Sequence, residues 1–161
     1  MCAKQSVVNP VVVIGLGNPL MSDEGVGVRV VQDLEKHRGG LPGVEFVDAG
    51  TSGMKALHAM AGRRKAVIVD CARMGEAPGW VRRFRPEDAA SRKRLPHLSL
   101  HEGDLMDMIE LSRSLGECPR EVVIIGIEPK SLEPGQGLSP VLESRTGDYL
   151  DVVLGELGSG V

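Results

Sequence analysis

The stretch VVVIGLGNPLMSDEGVGVRVV, residues 11–31, decides how this chain is read. It opens with Val11 to Leu16, a short apolar run closed off by Gly15 and Gly17, which is the pattern of a strand buried on both faces. It ends in a helix whose Val26, Val30, Val31 and Leu34 recur at helical spacing, with Ser22 or Asp23 available as N-cap and Gly39-Gly40 as the stop. Strand, loop, helix is thus the opening unit. The same alternation continues outward, with a second strand over about 44–48 and a helix from Ser52 or Gly53 through Met60. A third apolar strand runs from Ala66 to Asp70. Trp80 to Phe84, carrying Arg82 and Arg83, reads as an edge strand. Residues 85–97, charged and broken by prolines, read as a mobile loop.

His101 opens the next helix, with Ser99 as its N-cap and Leu105, Met108, Ile109 and Ser112 along one side. Glu121 to Ile127 is the last buried strand, followed by a Pro/Gly loop over 128–139. Ser139-Pro140 starts a final helix carrying Leu142, Leu150, Val153 and Leu154, because proline suits the first helical position. Buried strands alternating with amphipathic helices imply a mostly parallel sheet covered on both faces. The expectation is one α/β domain spanning residues 1–161.

Composition narrows the function. A chain of 161 residues can bury a core without staples. Its net charge of -3 offers no basic footprint for nucleic acid. Its few rings (Phe46, Trp80, Phe84, Tyr149) cannot build a base-stacking platform. Cys2, Cys71 and Cys118 lack C-x-x-C spacing, which argues against a disulfide framework and fits a reducing compartment. The apolar run at residue 11 is too short to span a bilayer and shows no cleavage pattern, so a cytoplasmic location with no membrane partner is expected.

The first loop invites a dinucleotide-binding reading, but the third glycine of that fingerprint is replaced by Leu20. Asp23 and Glu24 would also face the phosphates, and like charges at close range repel. The plain alternative is that these two acids oppose the positive end of the following helix. Ligands of open α/β sheets bind beyond the carboxyl ends of the strands. Glu24 follows the first strand and Asp70 closes the third, while His101 starts the helix after the charged loop. Two carboxylates and an imidazole suit a borderline divalent ion such as Zn²⁺ or Ni²⁺ and leave positions open for substrate or water. His97 competes with His101, and Asp70 could equally bond loop amides; pattern alone leaves both points open.

Five segments in order carry a resemblance: GLGNPLMSDEGVG, VDAGTSGM (47–54), the strand end VIVDCA, Ser99-Leu100-His101, and GIEPKSLEPGQGLSP (126–140). Together they resemble the [NiFe]-hydrogenase maturation proteases, the hydrogenase-processing C-terminal endopeptidases, over about residues 11–154. The resemblance implies a twisted five-stranded sheet sandwiched by helices. It puts the metal-binding set on Glu24, Asp70 and His101, with Asp23 completing an acidic pair, so Asp23, Glu24, Asp70 and His101 are the candidate catalytic residues.

It implies an enzyme that removes a short C-terminal peptide from a nickel-loaded large-subunit precursor. Nickel is then carried by the substrate as a recognition element; another divalent ion such as Zn²⁺ could occupy the same site. Two mechanisms follow: an ion held by the three ligands activates carbonyl or water, or a carboxylate acts as general base while the ion only positions the precursor. The missing G-x-S-x-G elbow disfavours a serine hydrolase. Cys71, beside Asp70, reads as a small packing residue. Arg82, Arg83 and Arg92-Lys93-Arg94 suggest a basic docking rim, or simply a solvated edge. The rival of another class is a non-enzymatic nickel-binding maturation chaperone using the same ligands.

Overall fold

Alternation of apolar residues along three central strands sets the architecture. In the computed structural model, which describes residues 9–38, 41–91, 99–100 and 104–158, β1 is Val11–Leu16 and β3 is Lys65–Arg73. The third central strand, β6, is Glu121–Ile127. Val12, Ile14, Ala66, Ile68, Val122 and Ile124 face one side of the sheet. Val11, Val13, Val67, Val69, Val123 and Ile125 face the other. Both faces are apolar, so both must be covered.

The sheet order is β2-β1-β3-β6-β4, with β2 spanning Val44–Gly50 and β4 spanning Val81–Phe84. β2, β1, β3 and β6 are parallel, and β4 is antiparallel to β6. The mostly parallel five-stranded sheet expected from sequence is therefore present. A two-residue strand, β5 (Ser99–Leu100), adds antiparallel to the end of β3.

Helix α1 (Val26–Arg38) and α6 (Thr146–Gly158) cover one face through Val30, Val31, Leu34, Tyr149 and Val153. Helix α2 (Gly53–Met60) and α4 (Asp104–Ser114) cover the other through Ala56, Met60, Leu105 and Ile109. Ser52 caps α2 as expected, its hydroxyl accepting from the Lys55 amide at 3.1 Å.

Several sequence expectations are corrected. Strands β2 and β3 are longer than read, and β4 starts after Trp80. β4 sits at an edge, as expected, paired with β6. The segment after it contains a short helix, α3 (Pro86–Ala90), where the Asp88 side chain accepts from the Arg85 amide; residues 92–97 lie outside the described residues. Ser99 is not a helix cap: it pairs with Arg73 in β5, and the described helix begins at Asp104. The final helix is two, α5 (Pro140–Glu143) and α6, because the chain turns at Ser144-Arg145 so that Leu142 and Tyr149 both reach the same core. The Gly39-Gly40 stop lies outside the described residues, after α1 ends at Arg38. Among the described residues, no helix is long and apolar enough to cross a membrane.

Candidate active site

The carboxyl edge of the sheet is where the chain buries its acids. Leaving β1, the backbone bends through Gly17 and enters a single 3-10 turn over Ser22–Gly25 before α1 begins. Two glycines make this path possible. A Cβ on Gly17, whose φ is 132°, would lie 1.8 Å from the Glu24 carbonyl oxygen. A Cβ on Gly27 would lie 2.2 Å from the Val69 oxygen and 2.5 Å from the Leu16 oxygen. Helix α1 therefore starts in direct backbone contact with the ends of β1 and β3. That contact packs the turn carrying Glu24 against β3; Asp70, expected from sequence to close this strand, is instead followed by three more strand residues, because the chain runs on to Arg73 to pair with β5.

Asp23 is 0% exposed, Glu24 5% and Asp70 4%. Their collective field is read by a neighbour. Burial pushes the Cys71 thiol well up, and the negative charges of Asp70, Asp23 and Glu24 push it further. Cys71 itself packs with Val67, Val69 and Ile127, so it is the small core residue that the sequence suggested. A thiol held protonated in this way is no nucleophile.

The two acids of the first loop do different things. Ser22 and Asp23, the sequence's candidates to cap α1, are both engaged elsewhere. The Ser22 hydroxyl donates to the Glu133 carbonyl at 2.7 Å. The Asp23 carboxylate accepts from the amides of Lys130, Ser131 and Ser139 at 2.9, 3.0 and 2.7 Å, and from the Ser139 hydroxyl at 2.7 Å. Asp23 is thus a clamp on the loop 128–139 rather than a charge set against its own helix. Glu24 has its amide on the Met21 carbonyl, and its side chain is buried at the same edge as Asp70.

One more buried acid was missed in sequence. Glu128, directly after β6, accepts from the Met74 amide at 2.5 Å and ties down the turn that follows β3. Its only sequence signal is its place after an apolar strand, the same signal that marked Asp70. Ser131 and Ser139 carry no sequence signal beyond a loop and a helix start.

The remaining candidates divide. His97 and His101 lie outside the described residues, and so do Arg92, Lys93 and Arg94. Arg83 does not belong to a free basic rim: it is spent on Glu156, with Nε–Oε2 at 2.6 Å and Nη2–Oε1 at 3.0 Å. Arg82 is exposed. Among the described residues no group of three or more His, Cys, Asp and Glu side chains could hold a metal ion. Glu24 and Asp70 form the described, oxygen-only part of the expected ligand set; a borderline ion such as Ni²⁺ or Zn²⁺ calls for a nitrogen donor beside them.

Comparison with known proteins now adds to this geometry. The family model described as hydrogenase maturation protease matches residues 28–156. The chain is 38% identical over 149 residues to the hydrogenase 2 maturation protease of Escherichia coli (strain K12), covering 91% of this chain and 90% of that one. It superposes on the hydrogenase maturating endopeptidase HybD from E. coli with a TM-score of 0.77 at 34% identity, covering 93% of each chain. It also superposes on the hydrogenase 2 maturation peptidase from Thaumarchaeota archaeon SCGC_AB-539-E09 with a TM-score of 0.69, again at 34% identity, covering 92% of this chain and 97% of that one. A buried acidic site at the carboxyl edge of this sheet, in a chain that matches these proteins along nearly its whole length, leads to one conclusion: the chain belongs to the hydrogenase maturation protease family and is an endopeptidase.

Proposed function

We propose that this endopeptidase removes a short C-terminal peptide from a nickel-loaded [NiFe]-hydrogenase large-subunit precursor, and that Glu24, Asp70 and His101 meet the nickel carried by that substrate. The observation that carries the reading is the burial of Glu24 and Asp70 together at the carboxyl edge of the sheet. Carboxylates kept out of water attract a cation more strongly than exposed ones, so a metal-bearing substrate is distinguished from its empty precursor. The register of β5 supports His101 over His97 as the third ligand. β5 is antiparallel to β3, pairing Ser99 with Arg73 and Leu100 with Ala72, so within β5 the chain runs in the direction of Asp70.

When bound, the ion offers positive charge next to the scissile peptide, whether it is nickel or another divalent ion such as Zn²⁺. The protein's own groups do the rest. A carboxylate of Glu24 or Asp70 accepts a proton from the attacking water, in the manner of an aspartic-type peptidase. That proton then passes to the leaving amine.

The test is to incubate the purified protein with a large-subunit precursor, with and without nickel loaded, and follow the precursor's C-terminus by mass spectrometry. A single nickel-dependent cut is expected, with the rate reduced about 10³-fold or more in Asp70→Ala and His101→Ala. An intact precursor under every condition overturns the reading and points to a nickel-binding chaperone instead. Cleavage that proceeds equally without nickel removes the recognition role while leaving the peptidase.

A further inference from the structure

We propose that Asp23 is a positioning residue, not an acid–base group: with Ser139 it forms a latch that holds the loop 128–139 against the first loop and so sets the place of Glu24. The inference rests on the cleavage reading above and assigns a division of labour within the acidic pair. Asp23 is fully buried, and its two carboxylate oxygens receive four donors between them, all from one loop. With four donors already on its two oxygens, the Asp23 carboxylate has little room left to engage a water.

The backbone reinforces the latch. The Asp23 amide donates to the Ser131 carbonyl at 3.1 Å, and the Ser22 amide to the Gly135 carbonyl at 2.9 Å. In return the Gly135 amide donates to the Leu20 carbonyl at 2.9 Å. Met21 and Gly135 pair like strand residues. Between these bonds sits Ser22 at φ 53°, the one non-glycine residue among those described with left-handed backbone. Such a conformation is held only where neighbours over-determine it. Here those neighbours are the Gly135 and Glu133 carbonyls, both in the latched loop. Glu24 follows directly, so its carboxylate inherits whatever position the latch imposes.

The experiment compares wild type, Asp23→Asn, Ser139→Ala and Ser139→Thr. Hydrogen exchange at the Lys130, Ser131 and Ser139 amides is measured alongside kcat, KM and the pH–rate profile for cleavage of the nickel-loaded precursor. Asn keeps the shape of Asp but turns one acceptor into a donor facing donors. In Asp23→Asn the three amides should lose protection. kcat should fall roughly 10- to 100-fold, the range for a misplaced catalytic group, while KM and the shape of the pH profile are kept. Ser139→Ala should lose about threefold to tenfold, and Ser139→Thr, which keeps the hydroxyl, should return to within about twofold of wild type.

A folded Asp23→Asn enzyme with wild-type kcat overturns the proposal. So does a variant that loses one limb of the pH profile, which would make Asp23 the acid–base group. Failure of Ser139→Thr to rescue removes Ser139 from the latch. A wild-type enzyme that leaves the precursor intact instead overturns the cleavage reading, and the exchange data then still report whether the latch exists.

Discussion

The two ends of the sheet both bury charge, and they do so for opposite purposes. At the amino end, Lys65 opens β3 and is 2% exposed, yet its ammonium reaches both the Glu156 carboxylate at 3.0 Å and the Glu156 carbonyl at 2.9 Å. Arg83 from β4 closes on the same carboxylate, and Glu121 from β6 lies 3.5 Å from Lys65. Each sign there meets its opposite, and the network ties α6 to three strands. The Arg83 and Lys65 hydrogen bonds hold the Glu156 carboxyl down at about 2. At the carboxyl end, acids gather with acids: Asp23, Glu24, Asp70 and Glu128 are all buried along one edge. There Asp23 and Glu128 are held by backbone amides, which satisfy a carboxylate without cancelling its charge.

This contrast can be broken first at the amino end, where the largest effect is expected. Glu156→Gln should cost about 3 kcal/mol at neutral pH, since it removes the carboxylate shared by Lys65 and Arg83 and leaves buried Lys65 with only the half-exposed Glu121 as counter-charge. Its folded pKa of about 2 lies below the ordinary 4.5, so its contribution is fully present above 4.5 and is lost as pH falls toward 2. Denaturant melts of wild type and variant should therefore converge across that window. Cleavage by the folded variant should be unchanged; a large loss of kcat would mean that the two ends are coupled.

The carboxyl end is sharpened next with Gly27→Ala. The added methyl would meet the Val69 and Leu16 carbonyls, so α1 must lift off the strand ends. Overpacking of this kind costs about 1–3 kcal/mol. Cleavage should fall by about tenfold or more in the folded protein, because displacing a catalytic group matters more to the reaction than to the fold. Equal losses in stability and rate would weaken the claim that this contact places Glu24.

The smallest effect is expected at Cys71. Its thiol is buried and held protonated by the neighbouring acids, so it should resist alkylation at pH 8 in the folded protein. Cys71→Ala should leave cleavage within about threefold and cost about 1 kcal/mol from the lost packing. Rapid alkylation that abolishes cleavage would show the acidic edge to be more open than it stands here.

Much of this was legible in the residues themselves. β1, β3 and β6 could be read because their apolar runs have no other stable place than a sheet buried on both faces. Asp70 could be found because an acid closing the apolar run Ala66–Val69 stands out, although the strand itself continues to Arg73. The resemblance carried by five ordered segments named the family that the comparisons bear out. The two-part final helix and the pairing of Ser99 were not legible, since both depend on where distant strands stop.

Local pattern by itself determined the strand–helix alternation, the doubly covered sheet and the acids at its edge, because side-chain periodicity and burial act over a few residues. Only the tertiary structure decided that Asp23 and Glu24, adjacent in the chain, part company. One closes on amides more than 100 residues away, and the other is buried against β3. The same holds for Lys65, Arg83 and Glu156, which share one ion cluster only because α6 packs across the strands that carry the two cations. A hydrogen bond or ion pair between distant segments leaves no periodic mark on either of them, so its partner becomes readable only once the fold has brought the two together.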